Sequence, residues 1–184
     1  IPSVSAITSH KEDVMKCAIT IANQLKSSGL EKLEIWERPG AHPCVYGEWC
    51  HSQGKPTLLC YSHYDVQPIG DPSLWKSNPY DPVDVNGRLY GRGSADDKAG
   101  VNIQLSAIDA HLKANKKLPI NIKVLIEGEE EVKSHLHEYV AEHRSVLKAD
   151  AIVVTDTSNI DTGKPALTNS LRGFTGLEVD VRSL

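Results

Sequence analysis

Between His10 and Ser28 apolar residues recur at helical spacing, with Val14, Ala18, Ile21 and Leu25 forming one stripe and Gly29 placed to stop the helix. Leu33–Glu37 and Cys44–Trp49 read as strands on either side of Arg38–Pro43, which contains a Pro-Gly turn signal. Thr57–Tyr61 is a short apolar strand. The stretch 66–82 contains Pro68, Pro72, Pro79 and Pro82, so it is a long ordered loop and not a helix. Gly87–Gly91 reads as the end of a tight hairpin. Ala99–Leu112 carries Val101, Leu105, Ile108 and Leu112 on one helical face. Ile120–Ile126 follows as a strand, Leu136–Leu147 as a helix and Ala151–Thr155 as another buried strand.

Strand, helix, strand, helix, strand predicts an α/β domain. The strands around Leu58, Lys123 and Val153 are mostly apolar, as in a mostly parallel sheet with helices on both faces. Composition narrows the classes further. Of 184 residues 40% are hydrophobic, enough for a packed core. A formal net charge of -4 argues against a nucleic-acid partner, which would demand a basic stripe. No apolar run approaches the ~18 residues of a membrane span, and no signal peptide opens the chain. Cys17, Cys44, Cys50 and Cys60 include no CxxC pair, so the expected setting is reduced and cytoplasmic, without a cysteine zinc site.

In open α/β sheets, ligands bind beyond the carboxyl ends of the strands. The strand at Thr57–Tyr61 runs into Ser62-His63-Tyr64-Asp65, that at Ile120–Ile126 into Glu127-Gly128-Glu129-Glu130-Glu131, and that at Ala151–Thr155 into Asp156. Asp96-Asp97 follows a Gly-rich turn and opens a helix. Imidazole and carboxylates in such a group suit Zn²⁺, Mn²⁺ or Co²⁺, and a two-metal site needs a bridging carboxylate and a base for the water between the ions. His63-x-Asp65 has the spacing of a ligand steadied by a carboxylate. Each piece also has an ordinary reading: a satisfied polar His63, an N-cap at Asp96-Asp97, a solvated run at Glu127–Glu131, a loop start at Asp156. Other catalytic classes lack their motifs, since HExxH, GxSxG and GxxxxGK[ST] are all absent. Cys60 reads as core.

The strings Ser62-His63-Tyr64-Asp65-Val66-Gln67-Pro68, Leu74-Trp75, Asn78-Pro79-Tyr80-Asp81-Pro82, Gly87–Lys98 and Glu127-Gly128-Glu129-Glu130-Glu131 occur in one order. From about Leu58 to Arg172 the chain thereby resembles the M20 family of metallopeptidases, in its cytosolic dipeptidase and carnosinase-like branch. The resemblance implies two divalent cations, zinc first, with manganese or cobalt as alternatives. It makes His63 a ligand of one metal, Asp65 the carboxylate that orients it, Asp96 the bridge, Glu130 the general base, Glu131 a ligand of the other metal and Asp156 the remaining carboxylate beside His63. Ser134 sets the register within Glu129–Glu131; a slip by one would move base and ligand to Glu129 and Glu130. Lys133 stands where relatives usually have Gly. His135 and His137 read as surface or cap residues.

The implied reaction is hydrolysis of the amide bond of a dipeptide or other short peptide with a free carboxylate, by a metal-activated water with Glu130 accepting its proton. An N-acyl amino acid deacylase of the same family is the alternative, and a non-catalytic relative a third. Members are about twice this length or more, with an inserted α+β lid that forms a homodimer and a returning segment that supplies a last histidine. Residues 1–174 are therefore expected to form the N-terminal part of the catalytic domain, and 175–184, with Leu177, Val179 and Val181 alternating, the first strand of the lid. No histidine follows Asp156, so the second metal lacks one ligand within these residues.

Overall fold

A computed structural model describes residues 1–182. The helices are α1 (Lys11–Ser27), α2 (Lys98–Asn115) and α3 (Leu136–Glu142). The strands are β1 (Glu31–Trp36), β2 (Cys44–Trp49), β3 (Thr57–His63), β4 (Val83–Val85), β5 (Arg88–Tyr90), β6 (Asn121–Glu127) and β7 (Ala151–Val154). Five strands form one sheet in the order β1-β2-β6-β3-β7. β6, β3 and β7 pair in parallel, while β2 is antiparallel to both β1 and β6, so β2 alone runs against the other strands.

Alternation along the strands splits the core into two layers. Val45, Trp49, Cys60, Ile122, Val124 and Ile126 face α1 and α2, against Val14, Ala18, Ile21, Leu25, Val101, Leu105 and Ile108. Cys44, Tyr46, Leu59 and Leu125 face the other way, against Tyr139 of α3 and Leu147. This is why the central strands read as continuous apolar runs: both faces are covered. In α1, Glu12 and Asp13 in the first turn and Lys26 in the last complement the helix dipole. Gly29 ends the helix with φ +94°, a conformation that favours glycine.

The chain moves from β3 to its neighbour β6 by way of α2, then to β7 on the other side of β3 by way of α3. Reversing both direction and face keeps one hand for the two crossovers. It also makes the carboxyl end of β3 the switch point of the sheet, where side chains of neighbouring loops converge.

Two expectations change in detail. The strand at Ala151–Thr155 is not buried: all four residues of β7 are exposed, Ile152 by 65%. It pairs with β3 along one edge only, and between it and α2 lies an apolar cleft of about 270 Å³ lined in part by Ile103, Ile108 and Val153. The helix expected over Leu136–Leu147 ends at Glu142, where His143 stacks on Trp36 with ring centroids 3.6 Å apart; Leu147 reaches the core through turns. The lid strand expected over 175–184 lies partly outside the described residues, and the structure assigns residues 175–182 to no strand. The expected hairpin is present as β4 and β5, turning at Asn86-Gly87 with φ +55° and +75°.

Candidate metal centre

His63 is the last residue of β3 and lies in register with Glu127, the last of β6. Tyr61 is in register with Val154, so Asp156, two residues on, comes level with His63. Asp96 precedes α2, and Glu130 and Glu131 stand in the turn after β6. The carboxyl ends of β3, β6 and β7 and the start of α2 thus gather four carboxylates around one imidazole.

The ring of His63 is fully buried, and each of its nitrogens faces acceptors. Nδ1 lies 3.1 Å from the carbonyl oxygen of Asp65 and 3.3 Å from its Oδ1. Nε2 lies 3.0 Å from Asp96 Oδ1, 3.6 Å from Asp156 Oδ2 and 3.9 Å from Glu130 Oε2. Burial alone would lower the imidazole's pKa, but the hydrogen bond to Asp65 and the charges of Asp65, Asp156 and Glu130 outweigh it and push the pKa up to about 10. Burial raises the carboxyl pKa of Glu130 and of Asp156; His63 opposes the rise, while Asp156 adds to it at Glu130 and Asp96 adds to it at Asp156.

Ligand atoms within 4.8 Å of one another form two metal-sized sets, His63 with Glu130 and Asp156, and His63 with Asp96 and Glu131. Imidazole and carboxylate oxygens suit a borderline-hard divalent cation, which would replace the Nε2 proton and relieve the mutual repulsion of the carboxylates. The residues present therefore fit such an ion.

Asp65 ties the cluster together. Its Oδ1 accepts the backbone N–H of Glu130 at 3.1 Å, and its Oδ2 accepts that of Glu131 at 3.1 Å and the hydroxyl of Ser5 at 2.6 Å. Asp96 and Asp97, joined by a cis peptide bond, divide two tasks. Asp96 faces His63. Asp97 is the N-cap of α2, its Oδ1 accepting Gly100 N–H at 3.1 Å and its Oδ2 accepting His63 N–H at 3.2 Å. Burial pushes the Asp97 carboxyl up to about 6. The capping reading of the pair thus holds for Asp97, while Asp96 turns toward His63.

The glutamate run divides similarly. Glu127 is buried and accepts from Tyr61 Oη at 2.6 Å and from Ser134 Oγ. Glu129 is buried too, turned away from His63 toward His42 N at 3.0 Å, His135 N at 2.8 Å and His135 Nδ1 at 2.9 Å. Glu130 and Glu131 face the cluster. His135 is the N-cap residue of α3, His137 is exposed beside Glu138, and Lys133 is exposed with no ion pair among the described residues. All four cysteines are unpaired, and Cys60 is buried.

Three participants carry no signal that marks them from residue type alone. Ser5 lies sixty positions from Asp65. Gln67 donates from Nε2 to Glu131 Oε2 at 2.7 Å and to its carbonyl oxygen at 3.2 Å. Its place four residues after His63 is the one hint. Glu129 looks like its neighbours until its partners are known.

The family model for peptidase family M20/M25/M40 matches residues 59–180. A Cys-Gly metallodipeptidase of Schizosaccharomyces pombe is 33% identical over 98% of this chain and 40% of its own length. A Beta-Ala-His dipeptidase of Mus musculus is 36% identical over 98% of this chain and 39% of its own. The crystal structure of human carnosine dipeptidase 1 superposes with a TM-score of 0.77 at 30% identity, over 85% of this chain and 36% of that one. The chain thus spans about 40% of the length of the curated relatives it matches. No helix among the described residues is long and apolar enough to cross a membrane.

Proposed function

The chain belongs to peptidase family M20/M25/M40, and from that premise we propose that it forms the metal-binding half of a metallodipeptidase. The observation that carries the reading is His63 Nε2 facing Asp96, Asp156 and Glu130 at 3.0, 3.6 and 3.9 Å at the carboxyl end of β3. His63, Asp96, Glu131 and Asp156 would hold the cations, zinc first and manganese or cobalt as alternatives, with Asp96 between two of them. Bound there, the cations would lower the pKa of water and polarise the scissile carbonyl.

The chain's own residues supply the rest. Glu130 acts as the base. Its raised pKa suits a group that takes a proton from water and returns it to the leaving amine. Asp65 holds the His63 ring by Nδ1 and the backbone of Glu130 and Glu131 by their N–H groups, so ligand, base and second ligand share one anchor. The substrate is a short peptide with a free carboxylate, and the names of the relatives suggest Cys-Gly and β-Ala-His as first trials. Residues 1–174 belong to the catalytic domain and 175–184 open a lid through which two copies associate.

The experiment combines cation titration of the whole metal-stripped protein with hydrolysis of a dipeptide panel and a set of N-acyl amino acids. Two bound cations, dipeptide turnover, and a Glu130→Gln variant that keeps the cations but loses about 10²- to 10⁴-fold in kcat would support the reading. Turnover of N-acyl amino acids alone would shift it to a deacylase. Full activity in Glu130→Gln would end the assignment of the base.

A further inference from the structure

Glu131 and Asp96 stand on different loops, and neither strand register nor helix geometry sets their spacing. What lies between them is the segment after β3. Val66 N–H donates to the carbonyl of Ser3 at 2.9 Å, anchoring one end of this segment. The carbonyl of Pro68 accepts from an Arg92 guanidinium nitrogen at 2.9 Å, anchoring the other. Arg92 sits four residues before Asp96, and its guanidinium lies over the ring of Trp75, 5.4 Å from the centroid. Trp75 in turn donates from Nε1 to the carbonyl of Ile69 at 2.8 Å. The backbone of Gln67 is therefore held on both sides, and through Arg92 it is tied to the loop that carries Asp96.

From that fixed backbone, the Gln67 side chain reaches the Glu131 carboxylate at 2.7 Å and the Glu131 carbonyl at 3.2 Å with the same amide nitrogen. The contact to the carbonyl sets the backbone, and the contact to Oε2 sets the side-chain rotamer. An amide is suited to this role because it donates without carrying charge. A lysine or arginine would neutralise the carboxylate and compete with a cation. Gln67 occupies one oxygen of Glu131, and among the described residues Oε1 takes no hydrogen bond.

We propose that Gln67 is the positioning residue for Glu131, locking its carboxylate in the orientation that places it beside His63 and Asp96 as a cation ligand. The inference rests on the metal-centre reading above and deepens it. Partners of this kind, which touch a ligand and not the ion, typically carry a 10- to 100-fold effect on metal affinity.

The test is calorimetric titration of the whole metal-stripped protein with Zn²⁺ alone, with no substrate present. Glu131→Ala first identifies the binding event that depends on Glu131. Gln67→Met keeps length and shape but removes the donor; it is expected to weaken that same event about 10- to 100-fold and leave any other unchanged. Gln67→Asn, which keeps the amide one methylene short, is expected to fall between. In the Glu131→Ala background, Gln67→Met is expected to have no further effect, because the two residues act as one unit. Gln67 is exposed, and a melting curve verifies that each variant folds. Wild-type affinity in Gln67→Met, or a loss that persists in the Glu131→Ala background, overturns the proposal while leaving the metal centre standing. Failure of the wild-type protein to bind Zn²⁺ at all overturns the metal-centre reading, and this inference with it.

Discussion

His63 Nδ1 lies 3.3 Å from Asp65 Oδ1, and both side chains are wholly withdrawn from solvent. The same carboxylate accepts the backbone N–H groups of Glu130 and Glu131. One buried anion thus orients an imidazole from β3 and a turn from β6, and the pairing of these two strands becomes part of the chemistry.

Asp65→Asn tests that arrangement. An amide has one acceptor oxygen where the carboxylate has two, so it meets a backbone N–H with an N–H. Each orphaned buried donor costs about 1–3 kcal/mol. The expected outcome is a lower melting temperature together with a 10- to 100-fold loss of cation affinity. Titration calorimetry and a thermal melt measure the two separately, and wild-type values in both would refute the shared anchor.

The proton on His63 predicts a pH dependence. The folded pKa, pushed up to about 10, lies above the ordinary value of 6.5. In the metal-free protein this group contributes stability that is full below about pH 6.5 and is lost as pH rises toward about 10. A cation bound at Nε2 must displace that proton. Apparent affinity is therefore expected to rise about tenfold per pH unit between pH 6 and 8, with proton release on binding. Titrations in buffers of different ionisation enthalpy count the protons, and a pH-independent affinity would contradict the assignment.

Glu129 separates the two registers of the glutamate run. Its carboxylate takes three hydrogen bonds from His42 and His135 and none from the cluster. Glu129→Ala is expected to lower stability by about 1–3 kcal/mol for each donor left buried and unpaired. Glu129→Gln, keeping one acceptor, should lose less. If Glu129→Gln instead melted like wild type and lost all turnover, base and ligand would have to move one residue back.

Gly128 has no room for a side chain. A Cβ there would overlap the Tyr64 hydroxyl and come within 2.7 Å of the Pro43 carbonyl, two groups that are themselves hydrogen-bonded at 2.8 Å. Gly128→Ala is expected to cost about 1–3 kcal/mol by overpacking and to displace the following glutamates. Chemical denaturation reads the first effect and cation affinity the second; neither changing would mean that the turn yields freely.

Much of this was legible in the residues themselves. The spacing of Val14, Ala18, Ile21 and Leu25 specifies α1, and the apolar runs at Leu59–Cys60 and Val124–Ile126 announce strands covered on both faces. The motif strings single out His63, Asp65, Asp96, Glu130 and Glu131, and the end of the strand at Ala151–Thr155 adds Asp156; the fold brings the other five together beside Asp65. These features depend on local periodicity and on residues that follow strand ends, information that is written consecutively along the chain.

Only the tertiary structure decided the rest. That β2 alone opposes its neighbours follows from pairings across long separations. That β7 lies exposed at an edge could not be inferred from Ala151–Val154, because an apolar run reads the same whether or not something covers it. Asp96 and Asp97 are identical in type, as are Glu129, Glu130 and Glu131; what distinguishes them is the direction each side chain takes and the partner it meets there. Ser5 and Gln67 join the site because the fold carries them to it. A sequence specifies which groups a chain owns and which faces it must bury. The hydrogen-bond partners of a buried polar group come from segments that meet only when the sheet is assembled.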